Sequence, residues 1–217
     1  MRYWHDLLND RWIVECVFPG LRGGYFVEAG AGGGMHSSAT YVLETELAWD
    51  GICVEPVEEY YDLLVQTRAC ATDPRCLWSR SDEPVRFTNF VGVGATARSG
   101  ITDVNKNLGD ERWVHASRPP VEKQTVTLHD LLAAHGAPST IHYMCLDIEG
   151  AERSVLQAFD FGNPYRVLAV SIEDHHCDDL MAAAGYVRAR NPFTDARYEH
   201  YFLVPELAQA RPELILE

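Results

Sequence analysis

The stretch GYFVEAGAGGG at residues 24–34 decides how this chain is read. Tyr25, Phe26 and Val27 form a short apolar run that reads as a buried strand; Glu28 follows, and glycines stand at 30, 32, 33 and 34. Glycines so placed let the backbone turn sharply and let a ligand lie against it with no Cβ between them. In an open α/β sheet, ligands bind beyond the carboxyl ends of the strands. The dinucleotide fingerprint GxGxxG does not fit, because its last position falls on Met35 read from Gly30 and on Ser37 read from Gly32. What fits is acidic-x-Gly-x-Gly-x-Gly. A carboxylate just ahead of the turn repels a pyrophosphate and suits a ligand carrying positive charge.

Outward from this turn the pattern repeats. Residues 38–48 have helical spacing, GICVE at 51–55 is a second strand of the same kind, and Pro56 opens a helix to about Arg68. Strand-like runs follow at about 75–79 and 85–91. Thr127 reads as the N-cap of a helix over 128–135, stopped by Gly136 and Pro138. Strands at 141–147 and 166–173 each precede a helix, at 151–159 and 177–185. Two last strand-like runs, 186–190 and 198–204, flank Asn191-Pro192 with no helix between them. The spacing therefore predicts one α/β domain over 1–217: a doubly wound, mostly parallel sheet with an antiparallel C-terminal hairpin. A short helical extension covers about 1–20. Residues 92–121 show no period and carry Gly92, Gly94, Gly100, Gly109 and Pro119-Pro120, which reads as a lid-like insert. Its Arg98, Lys106, Arg112, His115 and Arg118 stand out in an acidic chain, either greeting a substrate or simply solvated.

Composition narrows the function classes. The 217 residues are 47% hydrophobic and 23% charged, an ordinary globular mix, and 18 basic against 32 acidic residues give a net charge of −14. Such a charge disfavours a nucleic-acid partner, since binding would begin against repulsion. No apolar run approaches the ~20 residues of a membrane helix, and the charged start MRYWHDLLNDRW does not resemble a secretory signal. The six cysteines form no CxxC pair, and Cys53 and Cys145 lie inside apolar runs. They read as reduced thiols of a cytoplasmic protein.

The candidate chemistry gathers at strand ends. Glu55 closes the second strand, where an acidic side chain accepts hydrogen bonds from a ribose diol. A positively charged nucleoside is the ligand that suits both Glu28 and Glu55, and S-adenosylmethionine is one. Gly30, Ala31, Gly32 and Pro56 would lie along it; Trp78 and Ser79, at the end of a third strand, would meet its adenine or pack in the core. His36 and Ser37-Ser38 would contact the ligand or cap the next helix. Asp147 and Glu149 end the fourth core strand, and Glu173, Asp174, His175 and His176 end the fifth. Packed carboxylates raise one another's pKa unless a cation or proton intervenes. Two uses follow: Glu149 or His175 as general base, or Asp147, Glu173 and Asp174 as ligands of a hard divalent cation such as Mg2+. Glu152 reads as a cap of the helix it begins.

Taken together, GYFVEAGAGGG (24–34), TYVLETELAWDGICVEP (40–56), VTLHDLL (126–132), YMCLDIEGAERSVL (143–156), VSIE (170–173) and the lead-in DRWIVECVFPGLRGGYF (10–26) resemble the FkbM-type methyltransferases, a branch of the class I S-adenosylmethionine-dependent enzymes. The resemblance implies a seven-stranded Rossmann-like sheet and methyl transfer, usually to a hydroxyl of a secondary metabolite or sugar. It implies cofactor contacts from Glu28, Gly30, Gly32 and Glu55, with Asp147 and Glu149 lining the reaction centre. That family often has Asp or Asn after the first Gly-Ala, where this chain has Gly32. A more distant similarity to magnesium-dependent sugar O-methyltransferases is what keeps the cation in view. The expected partners are a small-molecule acceptor, glycosylated or not, and a second copy of the chain. The rival readings are a non-catalytic cofactor-binding or scaffolding protein of the same fold, and a nicotinamide oxidoreductase.

Overall fold

The structure, a computed structural model, describes residues 1–92, 94–173 and 175–216, with the side chains of Val114 and His175 left aside. Eleven strands form two sheets among these residues. In chain order they are β1 (Tyr25–Ala29), β2 (Asp50–Val54), β3 (Ala71–Asp73), β4 (Cys76–Leu77), β5 (Pro84–Thr88), β6 (Gly100–Ile101), β7 (Val121–Val126), β8 (Thr140–Leu146), β9 (Arg166–Ile172), β10 (Val187–Ala189) and β11 (His200–Leu203). The main sheet runs β10-β11-β9-β8-β1-β2-β3; β4-β7-β5-β6 form the smaller one. In the main sheet β3, β2, β1, β8 and β9 are mutually parallel, while β11 is antiparallel to both β9 and β10. The order reverses between β1 and β8, which places the crevice of an open α/β sheet at their carboxyl ends.

Alternation along the buried strands sorts the core into two layers. Val27, Ile52, Met144 and Val170 face one side, packed on α4 (Leu128–Ala134), α5 (Glu152–Gln157) and α6 (Asp178–Ala183). Phe26, Cys53, Tyr143 and Ala169 face the other, against α2 (Tyr41–Leu47), Leu64 of α3 (Glu58–Thr67) and Ala208 of α7 (Pro205–Ala210). The N-terminal segment joins this second layer: α1 (Asn9–Arg11) widens into a π turn at Trp12–Val17, and Trp12 lies fully buried beside Tyr143 and Tyr201. Burying one such side chain contributes about 1.5–3 kcal/mol. Asn9 ties the segment to the sheet, donating to Glu199 Oε1 at 2.7 Å and accepting from the Tyr201 hydroxyl at 2.7 Å.

Local signals explain the best-defined ends. Thr127 caps α4 with its hydroxyl, which accepts from the Asp130 amide at 3.1 Å. The third position of the main sheet differs from the expectation. Residues 71–73 pair with β2, whereas Cys76–Leu77 pair with β7 in the smaller sheet, so Trp78 and Ser79 do not end a strand of the main sheet. Within 92–121, residues Gly100–Ile101 are an edge strand paired with Phe87 and Thr88 of β5. No helix of the described residues is long and apolar enough to cross a membrane.

Candidate active site

β1 ends in a backbone clamp. The amides of Gly30 and Ala31 both donate to the Val54 carbonyl, at 3.0 and 3.1 Å, and the Asp147 amide donates to Ala29 O at 3.1 Å. The tips of β2 and β8 are thus drawn onto the glycine turn. Gly30 has φ +81, and a Cβ there would stand 1.9 Å from the Asp147 carbonyl oxygen, so only glycine lets the two backbones meet. At Gly32 (φ +53) a Cβ would have nothing within 4 Å; this residue faces the open cavity. Its amide donates to Glu55 Oε2 at 2.8 Å, and the other Glu55 oxygen accepts from the Val57 amide at 2.8 Å. Burial raises the Glu55 carboxyl to about 7 in spite of those two bonds.

Beyond the turn lies a cavity of 540 Å³. One end is apolar, lined by Val57, Cys76, Leu77, Phe87, Ile101 and Ala151; Gly30, Ala31, Gly32, Glu55 and Pro56 form one side. Thr96, Ala97, Ser99 and Gly100 bring the insert in as a wall, and Asp147 and Glu149 line the cavity as well. A side arm of 190 Å³ opens at these two carboxylates, bounded by Asp6, Ser37, Arg98, Glu173, Tyr198 and Glu199.

The acidic centre rests on an unusual turn. Glu149 has φ +58, an uncommon conformation for a residue with a side chain, and Gly150 follows at φ +110. Glu152 fastens this turn, accepting from the Ile148 and Gly150 amides at 2.8 and 2.9 Å, so its role is structural. Glu149 is buried and takes a 2.6 Å hydrogen bond from Asn107 Nδ2 on its Oε2. Burial, then Glu173, raises its pKa, while Lys106 and Asn107 act against them. Asp147 meets solvent within the crevice; its depth, with Glu173 and then Glu149 close by, puts its pKa well above the usual carboxylate range.

Oxygens of Asp147, Glu149 and Glu173 all lie within 4.8 Å of one another, a donor set of the kind a hard cation takes. A cation is already supplied by the chain: Lys106 Nζ lies 2.5 Å from Glu173 Oε2 and 3.6 Å from Glu149 Oε2. With an ammonium seated on two of the three carboxylates, the set does not fit a divalent ion, and no step is assigned to one. Asp174, the remaining expected ligand, lies outside the described residues, as does the side chain of His175.

Four expected cofactor contacts, Glu28, Ser38, Trp78 and Ser79, lie outside the cavity lining. Glu28 shares a strand face with Phe26, away from the cavity, and accepts from Ser38 Oγ (2.8 Å), the Ala39 amide (2.6 Å), Thr40 Oγ1 (2.5 Å) and Arg68 Nη1 (3.3 Å). Neither Glu28 nor Ser38 lines the cavity. Through these bonds Glu28 holds the entry to α2. Trp78 and Ser79 are also outside the lining, Trp78 packing with Val57, Cys76 and Phe87 below it. Phe87, Gly100 and Ile101 line the cavity, and Asn107 holds Glu149, without any local pattern that marks them as site residues. Gly100 and Ile101 form a strand too short to show a period, and Asn107 reveals its part only through Glu149.

Residues 28–195, more than half of the chain, match the family model described as the methyltransferase FkbM domain. No curated protein matches the chain.

Proposed function

This chain belongs to the FkbM methyltransferase family, and we propose that it transfers a methyl group from S-adenosylmethionine to a hydroxyl of a small molecule. The observation that carries the reading is the cavity itself. Its apolar end suits a flat base, Glu55 offers acceptor oxygens to a ribose diol, and carboxylates gather where a sulfonium would be neutralised. When bound, the cofactor supplies a methyl group already activated on sulfur. What remains for the chain is to align the acceptor, keep out water and take a proton, with reacting atoms ~3–3.5 Å apart.

The side arm bounded by Tyr198 and Glu199 is where the acceptor would enter, because it meets the main cavity at Asp147 and Glu149. Glu149 is the base we assign. Asn107 and Lys106 hold its Oε2, which orients the carboxylate and leaves Oε1 for the acceptor hydroxyl. The raised pKa makes it a stronger base than an ordinary glutamate. Thr96, Ala97 and Ser99 of the insert would cover the bound pair. The buried thiols Cys76 and Cys145 suit a reducing, cytoplasmic setting.

The test is methyl transfer from S-adenosylmethionine labelled in its methyl group to a panel of hydroxylated small molecules. Label should pass to at least one acceptor with wild type and not with Glu149→Gln. Transfer by Glu149→Gln at the wild-type rate would remove the base assignment. No transfer to hydroxyls, with transfer to amines, would move the reading to nitrogen.

A further inference from the structure

Cys53 and Cys70 are not used by the proposed chemistry, yet their sulfurs lie 3.7 Å apart. Cys53 is on β2, fully buried, with its Sγ 3.8 Å from Glu28 Oε2. Cys70 is half-buried in the short link between α3 and β3, which makes it the more accessible of the two residues. We infer that Cys53 and Cys70 are a reversible dithiol site, closed to a disulfide by a small-molecule disulfide, and that closure loosens the glycine turn of the cofactor cavity. The second half rests on the proposed function; the first does not.

The Cys70 thiolate attacks oxidised glutathione, forming a mixed disulfide and releasing one glutathione. The Cys53 sulfur then attacks the Cys70 sulfur, and its proton goes to the departing sulfur of the second glutathione, which leaves as the thiol. Two protein thiols are oxidised by two electrons, and the glutathione disulfide is reduced to two thiols. Burial drives the Cys53 thiol well above its ordinary range, which makes Cys70 the point of entry.

Closure has a mechanical consequence. A disulfide needs its sulfurs about 2.05 Å apart, so the 3.7 Å gap must shorten by moving the link at 68–70 toward the strand. That link is strung tightly. Glu44 Oε1 accepts from the Ala69 and Cys70 amides at 2.6 and 3.0 Å, and Arg68 Nη1 donates to the Gly34 carbonyl at 3.2 Å. Gly34 is the last residue of the glycine turn, and a Cβ on it would already touch the Arg68 side chain at 2.9 Å. Movement of 68–70 is thus passed to residues 30–34.

The experiment incubates the folded protein with oxidised glutathione, blocks remaining thiols and maps tryptic fragments without reduction. Fragments 23–68 and 69–75 should appear joined, with loss of two alkylatable thiols, and reduction should separate them. Cys53→Ser should leave a stable glutathione adduct on Cys70, while Cys16→Ser should not alter the joined pair. Absence of the joined pair in wild type, with glutathione retained on Cys70, would overturn the site. Affinity for S-adenosylhomocysteine is then compared before and after oxidation, and a fall of tenfold or more that reduction reverses is expected. A joined pair with unchanged affinity would overturn the coupling. If the reduced protein binds no S-adenosylhomocysteine at all, the cofactor reading fails while the fragment map still decides the dithiol site.

Discussion

Arg68, at the end of α3, reaches back to Glu28 at the end of β1, Nη1 to Oε2 3.3 Å, with side-chain exposures of 0% and 4%. Two charges withdrawn from water in this way are costly unless every lone pair and N–H finds a partner. Here most do: Arg68 also binds Glu44, Gly34 O, Ser38 Oγ and Thr40 Oγ1, and Glu28 takes the donors that open α2. The pair holds the far side of the glycine turn while the cavity occupies the near side.

Removing one partner leaves the other charge buried alone. Arg68→Met should therefore destabilise the protein by about 3–5 kcal/mol, read by urea denaturation. A loss below ~1 kcal/mol, the range of exposed pairs, would show that water reaches this site.

The two glycines of the turn should behave differently. Gly30→Ala drives a Cβ into the Asp147 carbonyl and should cost more than ~4 kcal/mol or prevent folding. Gly32→Ala meets no atom and costs only its left-handed φ, about 1–2 kcal/mol. It should fold, while the new methyl group narrows the cavity and weakens ligand binding. Circular dichroism and calorimetry on both variants separate the two effects.

Acid stability follows from the buried carboxyls. Burial raises Glu55, Glu152 and Glu199 to about 7 and Asp10 to about 6 in the folded chain. Between their unfolded values near 4–4.5 and these folded values, the native state binds more protons than the unfolded one. Stability is then greatest near the lower end of that window and falls as pH rises to about 7, by on the order of a few kcal/mol per group. Denaturation midpoints at pH 5 and pH 7.5, without ligand, check the sign. Greater stability at pH 7.5 would contradict it.

Lys106 leads to a prediction about metals. Because its ammonium neutralises Glu173 and Glu149, dialysis against EDTA should leave methyl transfer unchanged, and added magnesium should not raise it. Loss on chelation with recovery on magnesium would show that Lys106 moves aside for an ion.

Much of this arrangement was legible in the residues. β1, β2, β8 and β9 are apolar runs whose ends carry the glycine turn, Glu55, Asp147 and Glu173, and the open-sheet rule brings those ends together. β3 was not legible: Ala71–Asp73 is three residues long, two of them polar, and only pairing with β2 makes it a strand. The nearby apolar Cys76-Leu77-Trp78 mimicked it, but its partner is β7, about fifty residues on. Glu28 shows a different limit. Alternation puts it on the Phe26 face, yet the partner that claims it, Arg68, lies 40 positions away and is announced by no local pattern.

The most direct test of the central claim is a calorimetric titration of the reduced protein with S-adenosylhomocysteine, alongside Glu55→Ala. One saturable site in the micromolar range, weakened at least tenfold by Glu55→Ala, is the expected result; a tenfold change corresponds to about 1.4 kcal/mol. No heat from the wild type at high micromolar ligand would contradict the claim that this cavity holds the methyl donor.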